Sequence, residues 1–271
     1  TGFGVMLALM ALRLPIGLAM LVVGSAGYVQ LNGLEPFLNY IRTTPYQIFA
    51  NYTLSVIPLF VLMGAFAERS GLAGDLFKAA SGFIGHRRGG LGMAMIGACT
   101  GFGAICGSSV ATTATFARAA LPQLRGYRYD PGFACGVTAV GGTLGILIPP
   151  SVILVVYAIS TEQNIAKLFQ AALIPGLMAT AFYCLTIGIM SRRDATLGPA
   201  HERIPWRERW PLLIGVIPAL AVAVIVLGGI YGGIFTPTEG ASVGAFIMLA
   251  IGLFRRTLGF EGIKQAILQT A

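Results

Sequence analysis

Of the 271 residues, 56% are hydrophobic and only 10% charged, whereas a soluble domain carries about a quarter charged, so a water-soluble globule is excluded. The net charge of +8 stands singly or in pairs between apolar spans, which fits positive-inside bias and gives no footing for a nucleic-acid partner. Charge-free stretches cover 14–34, 43–67, 89–117, 131–161, 168–191, 210–238 and 240–254, most of them near the roughly 20 apolar residues that cross a bilayer.

The chain opens at Thr1 in apolar sequence, without a methionine, and is expected to be a fragment entered inside a first helix. A span from Leu14 to about Leu31 follows Arg13, then a polar loop from Asn32 to Gln47. A second span, Tyr52 to Ala67, ends at Glu68-Arg69. From Ser70 to Gly85, Leu72, Leu76, Phe77, Ala80, Phe83 and Ile84 recur at helical spacing around Asp75 and Lys78, which predicts an amphipathic helix on the membrane surface.

His86-Arg87-Arg88 leads into an unusual run, Gly101-Phe-Gly-Ala-Ile-Cys-Gly-Ser-Ser-Val-Ala-Thr-Thr-Ala-Thr115. Basic residues flank this segment on both sides, with Arg118, Arg125 and Arg128 after it, so both ends are expected in the cytoplasm. No charged or interfacial turn marks the midpoint Ile105-Cys-Gly-Ser-Ser109. The segment 89–122 therefore predicts a re-entrant hairpin with a buried tip, rather than two complete crossings.

Asp130-Pro131 starts the next crossing, whose middle reads Gly141-Gly-Thr-Leu-Gly145-Ile-Leu-Ile-Pro149-Pro-Ser151. Glycine and tandem proline predict a broken helix over 131–161, ending near Gly142 and restarting near Pro149 or Pro150. Ala166 to Met190 crosses back to Arg192-Arg193, and a loop to Arg209 carries Trp206 and Trp210 as interfacial anchors. Pro211 to about Phe235 crosses outward. Thr236-Pro-Thr-Glu239 then has the form of a capping box that starts a return helix to Arg255-Arg256, before a surface helix from Phe260 to Gln269. This arrangement places Arg42 and Lys167 outside and the other sixteen of the eighteen basic residues inside.

A helix that ends at mid-membrane leaves carbonyls unpaired, and one that begins there leaves amides unpaired. The first suit a hard cation and the second an anion, and such paired breaks mark the binding site of secondary transporters. Of ten acidic residues only Glu68 and Glu239 touch spans, both at ends, and His86 and His201 lie in cytoplasmic segments. Sodium held by neutral oxygens is thus favoured over proton coupling. Ser108 and Ser109, at the break, are candidate ligands, whereas Thr115 is better read as packing and Arg118 as snorkelling to the interface. Cys99, Cys106, Cys135 and Cys184 form no CxxC pair and read as small core residues. The match of Gly240-Ala-Ser-Val-Gly244 to a nucleophile elbow lacks a preceding strand and an available histidine, so an enzyme is not expected.

At Gly107-Ser-Ser-Val-Ala-Thr-Thr, Gly142-Thr-Leu-Gly-Ile-Leu-Ile-Pro-Pro-Ser151 and Gly233-Ile-Phe-Thr-Pro-Thr-Glu-Gly240 the sequence resembles the large membrane subunit of tripartite ATP-independent periplasmic (TRAP) transporters. The resemblance extends over essentially all the chain. It implies an all-α integral membrane protein of the bacterial inner membrane, an inverted-repeat elevator-type transporter driven by sodium (Na+), with no organic cofactor. It implies two partners, a small membrane subunit and a periplasmic substrate-binding protein, and organic acids such as dicarboxylates, keto acids or sialic acid as substrates. Carried over by position, Gly107, Ser108, Ser109, Gly142, Thr143, Gly145 and Pro149 would form one sodium site, with Ser109 and Thr112 bordering the substrate.

The expected organisation is the first repeat plus the start of a second. Residues 1–88 hold scaffold helices and the amphipathic arm, and 89–165 half of the transport domain. A transmembrane helix and cytoplasmic connection fill 166–209, and 210–271 hold an outward-crossing helix, then the first scaffold helix and arm of repeat two. The alternatives are another sodium/carboxylate symporter, which this chain resembles less because Ser-Asn-Thr is absent at the tip, and a structural or channel-like subunit.

Overall fold

The computed structural model describes residues 2–50 and 52–270, with Ile48 and Phe49 described by backbone alone. All regular structure among the described residues is helical, and the chain divides into two compact units, 1–54 and 55–271.

The first unit contains α1 (Gly2–Ala11), α2 (Ile16–Asn32) and α3 (Leu34–Phe49). α3 occupies the segment expected to be a polar loop. Its Leu34, Phe37, Leu38 and Ile41 fall at helical spacing, an apolar stripe diluted by enough polar residues to hide it from a hydropathy reading. The rings of Phe37 and Tyr40 lie 6.0 and 5.4 Å from that of Tyr28 on α2. Gly33, with φ of 89°, makes the sharp turn between the two helices.

The second unit runs through α4 (Val56–Arg69), α5 (Leu72–Ile84), α6 (Gly90–Cys106), α7 (Ser109–Ala119), α8 (Leu121–Gly126), α9 (Pro131–Leu147) and α10 (Val152–Ser160). It continues with α11 (Ile165–Arg193), α12 (Trp206–Tyr231), α13 (Pro237–Phe254) and α14 (Phe260–Thr270). Tyr52–Arg69, α11, α12 and α13 are each long and apolar enough to cross a membrane, and the bent pair α9 and α10 makes a fifth crossing if counted as one span.

α6 stands at the centre, touching α4, α5, α7, α9, α11 and α12. Its Leu91, Met95, Ile96, Cys99, Phe102 and Ile105 are all buried, as the side chains of an apolar central helix must be. The amphipathic α5 forms as its periodicity predicts, but α6 and α12 cover its apolar face of Leu72, Leu76 and Phe77. On its polar face Asp75 accepts from Arg255 at 2.6 Å. α12 begins at Trp206, so the connection after α11 spans only 194–205. Arg209 is held inside the helix, between the rings of Phe83 and Trp206 at 5.7 and 5.6 Å. Trp206 and Trp210 are both exposed.

Segments expected to share the cytoplasmic side meet one another. The Gly89 amide donates to Gly198, the Asp130 amide to Leu197 and the His201 amide to Gly85. The Leu91 amide donates to the Tyr129 hydroxyl at 3.2 Å. Burial pushes that hydroxyl above its ordinary pKa, although the amides of Leu91 and Gly92 pull the other way. Asp194, at the end of α11, is lowered by the Thr196 hydroxyl and amide that donate to it. At the far end of α12 the capping box forms as the sequence indicates: the Thr236 amide donates to Glu239 at 2.8 Å, and the Glu239 amide to the Thr236 hydroxyl at 3.3 Å. Of the cysteines, Cys99 and Cys106 are buried, Cys184 is half-buried and Cys135 is exposed.

Candidate functional site where four helix ends meet

The glycine–serine run forms a helix–turn–helix hairpin. α6 ends at Cys106, Gly107 takes φ of 64°, and Ser108 is extended before α7 begins. A left-handed residue followed by an extended one reverses the chain in two steps. α7 then lies back on α6, with the ring of Phe116 5.7 Å from that of Phe102.

The second break differs from expectation in position. α9 does not stop near Gly142 but continues to Leu147, and the interruption covers Ile148 to Ser151, including a cis Pro149–Pro150 bond. The glycines of α9 serve a different purpose, the close approach of α7. A Cβ on Gly145 would come within 2.5 Å of Thr112 Oγ1 and 2.7 Å of the Ser108 carbonyl, and one on Gly142 would overlap the Thr113 hydroxyl outright. The prolines alone end the helix, because they lack the amides that would continue it. α10 restarts at a bend of 43°.

The two breaks touch. The Val152 amide, at the start of α10, donates to the Gly107 carbonyl at 3.3 Å, and a Cβ on Gly107 would sit 2.6 Å from the Pro150 carbonyl. The C-terminal ends of α6 and α9 and the N-terminal ends of α7 and α10 therefore converge on one point. Partial negative charge gathers at the first two and partial positive charge at the others.

Beside this junction opens a cavity of about 300 Å³ lined by Gly107, Ser108, Ser109 and Val110 of the tip, Ile146 of α9, and Val152 and Ile153 of α10. Val61, Gly64 and Ala65 of α4 face them across it, and Gln269 of α14 closes one edge. α14 thus leans on α4, where Arg69 donates to Gln269 at 3.0 Å.

The expected site residues separate into three groups. Gly107, Ser108 and Ser109 line the cavity. Gly142, Gly145 and Pro149 are buried directly behind it, and Thr112 is fully buried between α7 and Gly145, its hydroxyl donating to the Ser108 carbonyl at 2.7 Å. Thr143 is on another face of α9: its hydroxyl donates to Val140 and lies 3.4 Å from the Tyr183 hydroxyl. Sequence reasoning missed the α4 wall. Its only signal is the small pair Gly64-Ala65, in which Gly64 lets the Cys106 carbonyl approach.

Hydroxyl and carbonyl oxygens dominate the polar lining. Behind this lining, the Thr112 and Thr113 hydroxyls donate to the carbonyls of Ser108 and Ser109. Ser108 Oγ accepts from the Ala111 amide and caps α7. No cluster of three or more His, Cys, Asp or Glu able to hold a metal occurs among the described residues. Glu68 is ion-paired with the exposed Arg118.

Residues 3–271 match the family described as tripartite ATP-independent periplasmic transporter, DctM component. The chain belongs to this family. Among DctM relatives, the C4-dicarboxylate TRAP transporter large permease protein of Pseudomonas aeruginosa is 42% identical over 75% of this chain and 47% of its own length. The protein of the same name from Rhodobacter capsulatus is 32% identical over 99% of this chain and 64% of its own. The sialic acid TRAP transporter large permease protein of Vibrio cholerae is 31% identical over 97% and 61%. The chain spans about half to two thirds of the length of these DctM relatives. It is a multi-pass membrane protein of a transporter family.

Proposed function

We propose that this chain forms part of a sodium-coupled secondary transporter that takes a small organic acid across the bacterial inner membrane. In this reading a periplasmic binding protein delivers the substrate and a small membrane subunit completes the complex. The observation that carries the proposal is the convergence of four helix ends on one cavity. The carbonyl ends of α6 and α9, with Gly107, Ser108 and Ser109, suit a sodium ion, since a hard cation takes neutral oxygen ligands. The amide ends of α7 and α10 suit a carboxylate, and Ser109 stands between the two. Thr112 acts behind the site, fixing the Ser108 carbonyl. Dicarboxylate and sialic acid in the relatives' names support the substrate class.

The hairpin and the broken helix are bound to each other through Gly107 and Val152, and α4 forms the opposite wall. An elevator movement would carry α6, α7, α9 and α10 together past α4, with the hairpin tip at mid-membrane depth.

The test is uptake into proteoliposomes holding the large subunit that contains this sequence, with its small subunit and binding protein. Uptake is expected to require a sodium gradient and the binding protein. Uptake unchanged when potassium replaces sodium would overturn the coupling, and uptake unaffected by omitting the binding protein would overturn the delivery step.

A further inference from the structure

A second concave surface lies where α6 meets α11. It is a groove of about 750 Å³ between α6 and α11, lined by Arg87, Arg88 and Met93 on one side and by Ala181, Cys184, Leu185, Gly188, Ile189 and Arg192 on the other. The α11 residues recur every three or four positions, so they form one face of that helix. Ala181, Cys184 and Gly188 are the small side chains of this face. A Cβ on Gly188 would reach no closer than 3.9 Å to Met93 Sδ, and Cys184 Sγ lies 3.9 Å from the Met93 carbonyl oxygen.

The two ends of the groove differ in chemistry. Three arginines stand at one mouth, all exposed, and none has a carboxylate within salt-bridge distance among the described residues. Below them the lining is apolar, and Leu185 and Ile189 are 57% and 45% exposed, as side chains facing lipid are. Arg192 lies eleven residues from Ala181 along α11, about 16 Å at 1.5 Å per residue. One leaflet of hydrocarbon is about 15 Å thick, half of the usual core.

We propose that this groove binds an acidic phospholipid, its phosphate held by Arg87, Arg88 and Arg192 and one acyl chain laid against Ala181, Cys184 and Gly188. Charge complementarity selects the headgroup, because an unpaired arginine cluster at the membrane surface attracts anionic lipid and pairs well with phosphate oxygens. The match between groove length and leaflet thickness selects a lipid over a soluble phosphate. The proposal rests on the membrane location of the chain and not on the sodium-coupled reading of the hairpin cavity.

Native mass spectrometry of the purified protein, titrated with phosphatidylglycerol or phosphatidylcholine, tests this directly. Phosphatidylglycerol is expected to be retained preferentially, with affinity falling about a hundredfold in the Arg87→Gln/Arg88→Gln/Arg192→Gln variant. The corresponding triple lysine variant is expected to stay within about threefold of the native protein, since lysine keeps the charge, and so to show that the glutamine variant's loss is electrostatic. Gly188→Phe, which fills the groove without altering charge, is expected to weaken retention about tenfold. Equal retention of both lipids, or full retention by the glutamine variant, would overturn the proposal. Full retention by Gly188→Phe would show a headgroup contact without a seated chain and would also overturn it.

Discussion

The two helix breaks restart in nearly the same way and stop in quite different ones. Ser108 and Ser151 are both extended, at φ of −132° and −123° with ψ of 127° each, and each accepts from the amide three residues on. Before Ser108 stands a single left-handed glycine, and the chain turns back on itself. Before Ser151 stand two prolines, held at negative φ by their rings, and the chain carries on with a 43° bend. One device makes a hairpin and the other a bent span, yet both deliver a serine-capped helix start to the same point. The serine cap is therefore common to both restarts, and the residues before it decide where the chain goes.

The largest expected effect comes from removing the reversal. Gly107→Val places a branched side chain at positive φ and against the Pro150 carbonyl, a combined cost of about 3 kcal/mol or more, so uptake by the assembled transporter should be lost along with a marked fall in thermal midpoint in detergent. A Gly107→Val protein with native stability would show that the hairpin does not dock on the second break. Next is Gly145→Ala, expected to destabilise by about 2 kcal/mol because its Cβ would press on Thr112 and Ser108. Gly136→Ala is its control: the same helix, with nothing within 4 Å of the new methyl, should be neutral or slightly stabilised, and the pair can be compared in one denaturation series.

The serines sharpen the comparison further. Ser108→Ala and Ser151→Ala should each cost about 1 kcal/mol as lost caps. Only Ser108 lines the cavity, so the sodium concentration for half-maximal uptake should rise about tenfold in Ser108→Ala and stay near native in Ser151→Ala. Equal shifts in both would mean that the hydroxyls act as caps alone. Smallest is Glu68→Gln, which removes the partner of an exposed Arg118. A loss of no more than about 0.5 kcal/mol is expected, measured by the same thermal unfolding.

Several features were legible because neighbours in sequence decide them. The Thr236–Glu239 capping box, the helical period of α5, and the breaks at Gly107 and Pro149 all depend on residues within one turn of each other. What stayed hidden in the sequence depended on something across the fold. Gly141, Gly142 and Gly145 resemble a helix breaker in isolation, but in the packed protein Gly142 and Gly145 are the surface on which α7 lies and Gly141 faces Cys99 of α6. α5 has the pattern of a helix lying on lipid, and its cover is in fact α6 and α12. Thr143 sits among site residues in sequence, yet a step of one position on a helix turns its hydroxyl toward Tyr183.

By itself, then, the sequence determined a helical membrane protein, the positions of most spans, the existence of both breaks and the family to which the chain belongs, because charge-free length, glycine–proline chemistry and local motifs act along the chain. Tertiary structure alone decided that the two breaks share a hydrogen bond, that α4 supplies the facing wall, and which hydroxyls reach the cavity. Packing distances between segments far apart in sequence set those outcomes, and a Cβ at Gly145 or Gly107 would be enough to change them.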